Sequence, residues 1–111
     1  MELNISISGK EESERLVSII QLGLLSVLEK EIISIEEAEG YLFNPFTVSK
    51  LERYGLSKEV IDIIKEGCEL EDIQSLMPEK LLSNIIRLKE QILSNIAVMP
   101  SPVLPTEKII K

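Results

Sequence analysis

The chain has 111 residues, no histidine, no tryptophan, one cysteine (Cys68) and a formal net charge of −7. This inventory lacks the side chain that titrates nearest neutral pH, the mixed imidazole and thiolate sets that hold zinc, and the positive charge that draws proteins to phosphate backbones. Hydrophobic residues form 44% and charged residues 28%, a globular balance, and aromatics at 4% leave the core to aliphatic packing.

From the N-terminus, Leu3, Ile5 and Ile7 alternate with Asn4, Ser6 and Ser8, which predicts a short half-buried strand. Such a strand needs a partner. Val103-Leu104, Ile109-Ile110, the Ile32-Ile33 junction and the same strand of a second copy all qualify. Ser8 and Glu11 match a capping box, starting a long helix to about Lys30. On its wheel Leu16, Val17, Ile19, Ile20, Leu24, Val27 and Leu28 fill one half, and Leu22 and Leu25 fall on the opposite side. Those two leucines are therefore read as surface contacts.

Ser34 and Glu37 form a second capping box, for a short helix to about Phe43. Asn44-Pro45 pairs an N-cap with proline at the first helical position, and the helix it opens stops at Gly55. Ser57 caps another, carrying Val60, Ile61, Ile63 and Ile64 and ending at Gly67; Leu70, Ile73 and Leu76 add a turn or two. Pro78 opens the last long helix, from Glu79 to about Val98. The prediction is an all-α irregular bundle of about five helices, two long and three short. Residues 1–98 make a single helical domain, and a tail with Pro100, Pro102 and Pro105 over 99–111 docks on it.

The start of the chain has neither the basic residues nor the unbroken apolar run of a secretory signal. The apolar stretch Leu16 to Leu28 is broken by Ser18, Gln21 and Ser26, against a membrane span. With one cysteine no internal disulfide forms, so a cytoplasmic location is expected.

Acids are the densest chemical feature: Glu36, Glu37 and Glu39, then Glu66, Glu69, Glu71 and Asp72 around Gly67-Cys68. No calcium-loop spacing is present, and these acids are read as solvated or as helix-start charges, with no metal and no cofactor. Cys68 has no histidine base and has acidic neighbours, so it is read as a filler, not a nucleophile. Carboxylate pairs alone could serve acid–base chemistry, but the abundance of acids empties that signal. No enzyme is expected. The aromatics Tyr41, Phe43, Phe46 and Tyr54 lie close in sequence and are read as packing the junction of two short helices, with one tyrosine left for recognition. Basic residues are scattered, so no nucleic-acid groove is expected.

The run Ser34-Ile35-Glu36-Glu37-Ala38-Glu39 with Leu42-Phe43-Asn44-Pro45, and the run from Glu69 to Pro78, resemble an uncharacterised family of short bacterial proteins. The resemblance spans residues of about 34–82. It implies a cytoplasmic stand-alone domain with no assigned activity, and it carries over no functional residue.

The function expected is binding of another protein, as an adaptor, regulator or immunity-type module. An acidic rim would attract a basic partner, with contact residues Leu22, Leu25, Tyr41, Glu69, Glu71 and Asp72. The alternative is a self-associating domain that buries the same leucines or pairs the N-terminal segment as a homodimer. A carboxylate-based or hard-metal enzyme stands third. No nucleic acid and no membrane are expected as partners.

Overall fold

Helix α1 (Lys10–Glu29) starts one residue after a glycine, not at a serine. The computed structural model describes residues 1–103 and 107–111, and the predicted Ser8–Glu11 capping box does not form in it. Gly9, at φ 91°, is the N-cap, a backbone conformation open to glycine. The Ser8 amide donates instead to Glu107 Oε1 at 2.7 Å.

Among the described residues there is no strand. Ile5 makes one antiparallel bridge to Ile110, flanked by bonds from Ser6 N–H to Ile109 O and from Lys111 N–H to Asn4 O, each 2.9 Å. Ile109-Ile110 is one of the partners proposed above, but the pairing ends there. Leu3 and Ile5 stay exposed and only Ile7 is half-buried, because two extended segments have no apolar face to cover them. Of the alternative partner Val103-Leu104, Val103 is exposed and outside any bridge, while Leu104 and Pro105 lie outside the described residues.

The fold is all-helical, as expected, but the division into two long and three short helices needs correction. After α1 come α2 (Ile35–Tyr41), α3 (Pro45–Arg53), α4 (Lys58–Gly67), α5 (Leu70–Leu76) and α6 (Leu81–Ala97), with a 3-10 turn at Pro78–Lys80. Four of these run nine residues or more, and α2 and α5 have seven each. The Asn44 cap is as read: its Oδ1 accepts from Thr47 N–H at 2.8 Å, and Pro45 follows. Gly55 takes φ 80°, sending its N–H to Glu52 O and that of Leu56 to Leu51 O, a Schellman end for α3. Gly67 ends α4, as read, and has a second job. It is the last residue of α4, and a Cβ there would sit 2.3 Å from Phe43 Cδ1. The glycine lets the one buried aromatic ring lie against helix backbone.

Helices α1 and α6 run antiparallel. Glu29 Oε1 meets Lys89 Nζ at 3.2 Å near one end, and Arg15 Nη1 donates to Pro100 O at 3.5 Å near the other. Helix α4 lies across the pair: Gln21 Nε2 donates to Val60 O at 2.9 Å and Asn95 Nδ2 to Glu59 O at 3.4 Å. The core comprises Leu25, Leu28, Ile35, Ala38, Phe43, Ile63, Ile64, Leu70, Ile85, Leu88 and Ile92.

The wheel drawn for α1 is rotated from the observed one: Leu28, Val17 and Leu24 pack on the core as read, but the rest of the predicted half does not. Its buried positions are Ser18, Gln21, Leu25 and Leu28, and Ile19 and Ile20 are 51% and 36% exposed. Leu25 is wholly buried and Leu22 is half-buried against the core, so the two leucines do not form the projecting contact pair expected. Aliphatic residues occur almost all round α1, so hydrophobicity alone could not choose its buried side. Its neighbours choose it, since α4 lies where Gln21 reaches a backbone carbonyl. Among the described residues no helix is long and apolar enough to cross a membrane.

Candidate functional site

The end of α1 fixes one wall of a cleft. Lys30 is the C-cap, Glu31 takes φ 58°, and the N–H groups of Glu31 and Ile32 donate to Leu28 O and Val27 O, both at 3.0 Å. This is the same Schellman pattern as at Gly55, built on a glutamate. A side chain in this left-handed region costs on the order of 1 kcal/mol. The turn leaves Ile32 72% exposed, then Ser34 accepts from Glu37 N–H at 3.1 Å and starts α2.

Between this turn, α2 and α5 lies a cleft of about 550 Å³. Leu28, Ile33, Ile35 and Leu81 supply apolar lining, and Glu31, Glu36 and Glu71 supply acids, with Gln74 and Ser75 beside them. A wall that is aliphatic below and acidic at its rim suits a side chain with an apolar stem and a cationic tip.

Behind Glu71, two carboxyl groups meet. Burial first, then a hydrogen bond and like charge from Glu71, then Glu36 and Asp72, hold the Glu39 carboxyl above its ordinary range. Glu39 Oε1 is buried with no hydrogen-bond partner. Glu39 on α2 thus faces acids of α5, and burial with that like charge favours its protonated form. Burial, with Glu39 and Glu69 adding, pushes the Cys68 thiol up. It is half-buried against the core and unsuited to act as a thiolate near neutral pH.

The sequence-derived contact residues scatter. Glu71 lines the cleft, and Asp72 lies on α5 close enough to act on Glu39. Glu69 is exposed just before α5, near Cys68. Tyr41 is 65% exposed at the end of α2, and a hydrogen bond with Glu37 pushes its phenol up. Leu25 is withdrawn into the core and Leu22 sits at its edge. The aromatic corner also needs correction: only Phe43 is buried, and Phe46 and Tyr54 flank Lys50, whose Nζ lies 5.7 and 5.8 Å from their ring centres.

Sequence reasoning missed Glu31, Glu36 and Ile32 as parts of one cleft. The apolar pair Ile32-Ile33 between two helices was the available signal, and it was spent on strand pairing. Among the described residues no three Cys, Asp or Glu side chains gather as a metal-holding group.

The family described as "Protein of unknown function (DUF3969)" matches residues 8–111. The chain belongs to this family. The resemblance read over residues of about 34–82 thus extends across nearly all of it. No curated protein and no solved structure matches the sequence.

Proposed function

We propose that this member of the family works by binding a partner protein, and that the cleft between α2 and α5 receives a basic side chain of that partner. The observation carrying this reading is the joint placement of Glu31, Glu36 and Glu71 around aliphatic walls, with Ile32 exposed beside them. The net charge of −7 adds long-range attraction for a basic surface and speeds encounter. The cleft supplies what net charge cannot, a dry contact with defined geometry. This replaces the Leu22–Leu25 contact expected from the sequence. The protein is read as a binder and not an enzyme, on chemical grounds: it has no histidine, and its one thiol is raised.

Affinity capture from the native host tests this, with the wild type beside Glu36→Lys/Glu71→Lys. The expected result is a basic protein retained at about 50 mM salt, weakened at about 300 mM, and lost with the double variant. Equal capture by both proteins would remove the cleft from the reading. No retained protein at either salt would remove the reading itself.

A further inference from the structure

The acids of the cleft between α2 and α5 are unanswered by the chain itself. Glu29, Glu52, Asp62 and Glu66 each pair with a lysine or an arginine. Among the described residues Glu31, Glu36 and Glu71 pair with none. Glu36 and Glu71 stand in the first turns of their helices, where the dipole favours an acid. Glu31 has no such support, and it takes the left-handed conformation that a glycine supplies at the end of α3. Behind the rim, one carboxyl oxygen of Glu39 is buried without a partner, and burial, then Glu71, Glu36 and Asp72, push that carboxyl up. Negative charge is thus gathered from three elements at one place and left without a cation.

We infer that the cleft is a binding site for a linear aliphatic polyamine, its ammonium groups set on the rim acids and its methylene segments along the aliphatic walls. The space is the right size: about 550 Å³, where small-molecule sites span about 300 to about 1,000 Å³. The lining is of the right kind. Glu31, Glu36 and Glu71 offer charge at points fixed by three different elements, and Leu28, Ile33 and Leu81 offer apolar wall in the same space. A polyamine carries both parts in one flexible chain, apolar stem and cationic tip repeated. A hydrated divalent cation matches the charge, but it has no stem to lay on the walls. The inference goes beyond the partner reading: the recognition chemistry, an alkylammonium, is shared with a partner's lysine, but the ligand here is a free small molecule.

Isothermal titration calorimetry of spermidine into the whole chain decides it, at about 100 mM salt to screen loose attraction to the net negative charge. One site per chain is expected, with a Kd below about 100 µM. Putrescine should bind at least about tenfold more tightly than magnesium, which has the same charge and no stem. Glu36→Gln/Glu71→Gln should weaken spermidine at least about tenfold. Glu2→Gln/Glu90→Gln makes the same change in net charge at exposed positions outside the cleft, and should alter binding by less than about twofold. If the cleft variant does not fold, amide shifts in the wild type take its place, and spermidine should move residues 31–36 and 71–75. Many weak sites, equal losses in the two double variants, magnesium as tight as putrescine, or shifts spread over the surface would each overturn the proposal. The two readings of the cleft fail separately. Spermidine bound with no protein captured from the host keeps this inference and removes the partner, and a captured protein with no spermidine bound does the reverse.

Discussion

The buried side of α1 carries Ser18 and Gln21 beside Leu25 and Leu28, whereas its open side carries Ile19, Ile20 and Gly23. Each side contains two residues that the other would be expected to have. Ser18 Oγ and Gln21 Oε1 are buried with no hydrogen-bond partner, and two isoleucines meet water. The same exchange recurs at the cleft, where a carboxyl oxygen of Glu39 is buried and Ile32 is exposed. A helix with apolar residues on most of its circumference is oriented by what its neighbours offer, and the side it leaves open is then free for another contact. The inverted placement costs stability inside and leaves apolar surface outside.

The sharpest test of this comparison sets Leu25 against Leu22, which the sequence treats as equivalents. Leu25→Ala should destabilise the fold by about 3 kcal/mol, as for a fully enclosed leucine, and Leu22→Ala by about half of that or less. Urea denaturation of the two variants measures it, with unchanged m-values as the control. Equal losses would mean that α1 is not rotated as described.

Gln21 gives the next largest effect, with opposite sign. Val60 O also accepts from the helical backbone of α4, so losing the Gln21 bond does not orphan it, and Gln21→Leu removes a buried acceptor that has no partner. The expected outcome is a gain of about 1 kcal/mol. A loss in the same urea experiment would show that the amide is worth more than its unmatched oxygen costs.

Glu31 compares two helix ends that share one hydrogen-bond pattern, since Gly55 holds the equivalent position after α3. Glu31→Gly should raise stability by roughly 0.5 kcal/mol, the relief of left-handed strain being partly offset by the greater freedom of glycine in the unfolded chain. Gly55→Ala should lower stability by about 1 kcal/mol. Thermal melts at low concentration check both, and a destabilised Glu31→Gly would assign the side chain a structural contact beyond the rim.

Local signals read well. Ser34, Asn44-Pro45 and Gly55 each mark a boundary because capping is decided by a few adjacent atoms, and the helical class follows from apolar spacing over many residues. The signals that failed depend on distant partners. Ser8 looks like a cap, but its amide is taken by Glu107, ninety-nine positions away. Gly67 does close α4, but nothing local shows that the ring of Phe43 lies against it. The cleft was half visible: its acids stand out in the sequence, and nothing local says that Glu36, Glu71 and Ile32 converge. Nor does Glu31 advertise its left-handed turn, since the residue type argues against it.

The smallest expected effect concerns Glu39, and it appears only as a function of pH. Its carboxyl is held above the ordinary value of 4.5 in the folded protein by burial and by Glu71, with Glu36 and Asp72 facing the same point and Cys68 close by. A raised carboxyl pKa means that folding favours the protonated form. The associated stability is fully present below the unfolded value and is lost as pH rises through the folded one. Glu39→Gln keeps the shape and removes the proton. The stability of the wild type relative to this variant should therefore fall as pH rises above the ordinary carboxylate range. Urea midpoints at several pH values across that rise supply the curve. A difference that stays flat, or grows in favour of the wild type as pH rises, would mean that burial and the neighbouring acids do not hold Glu39 protonated in the fold.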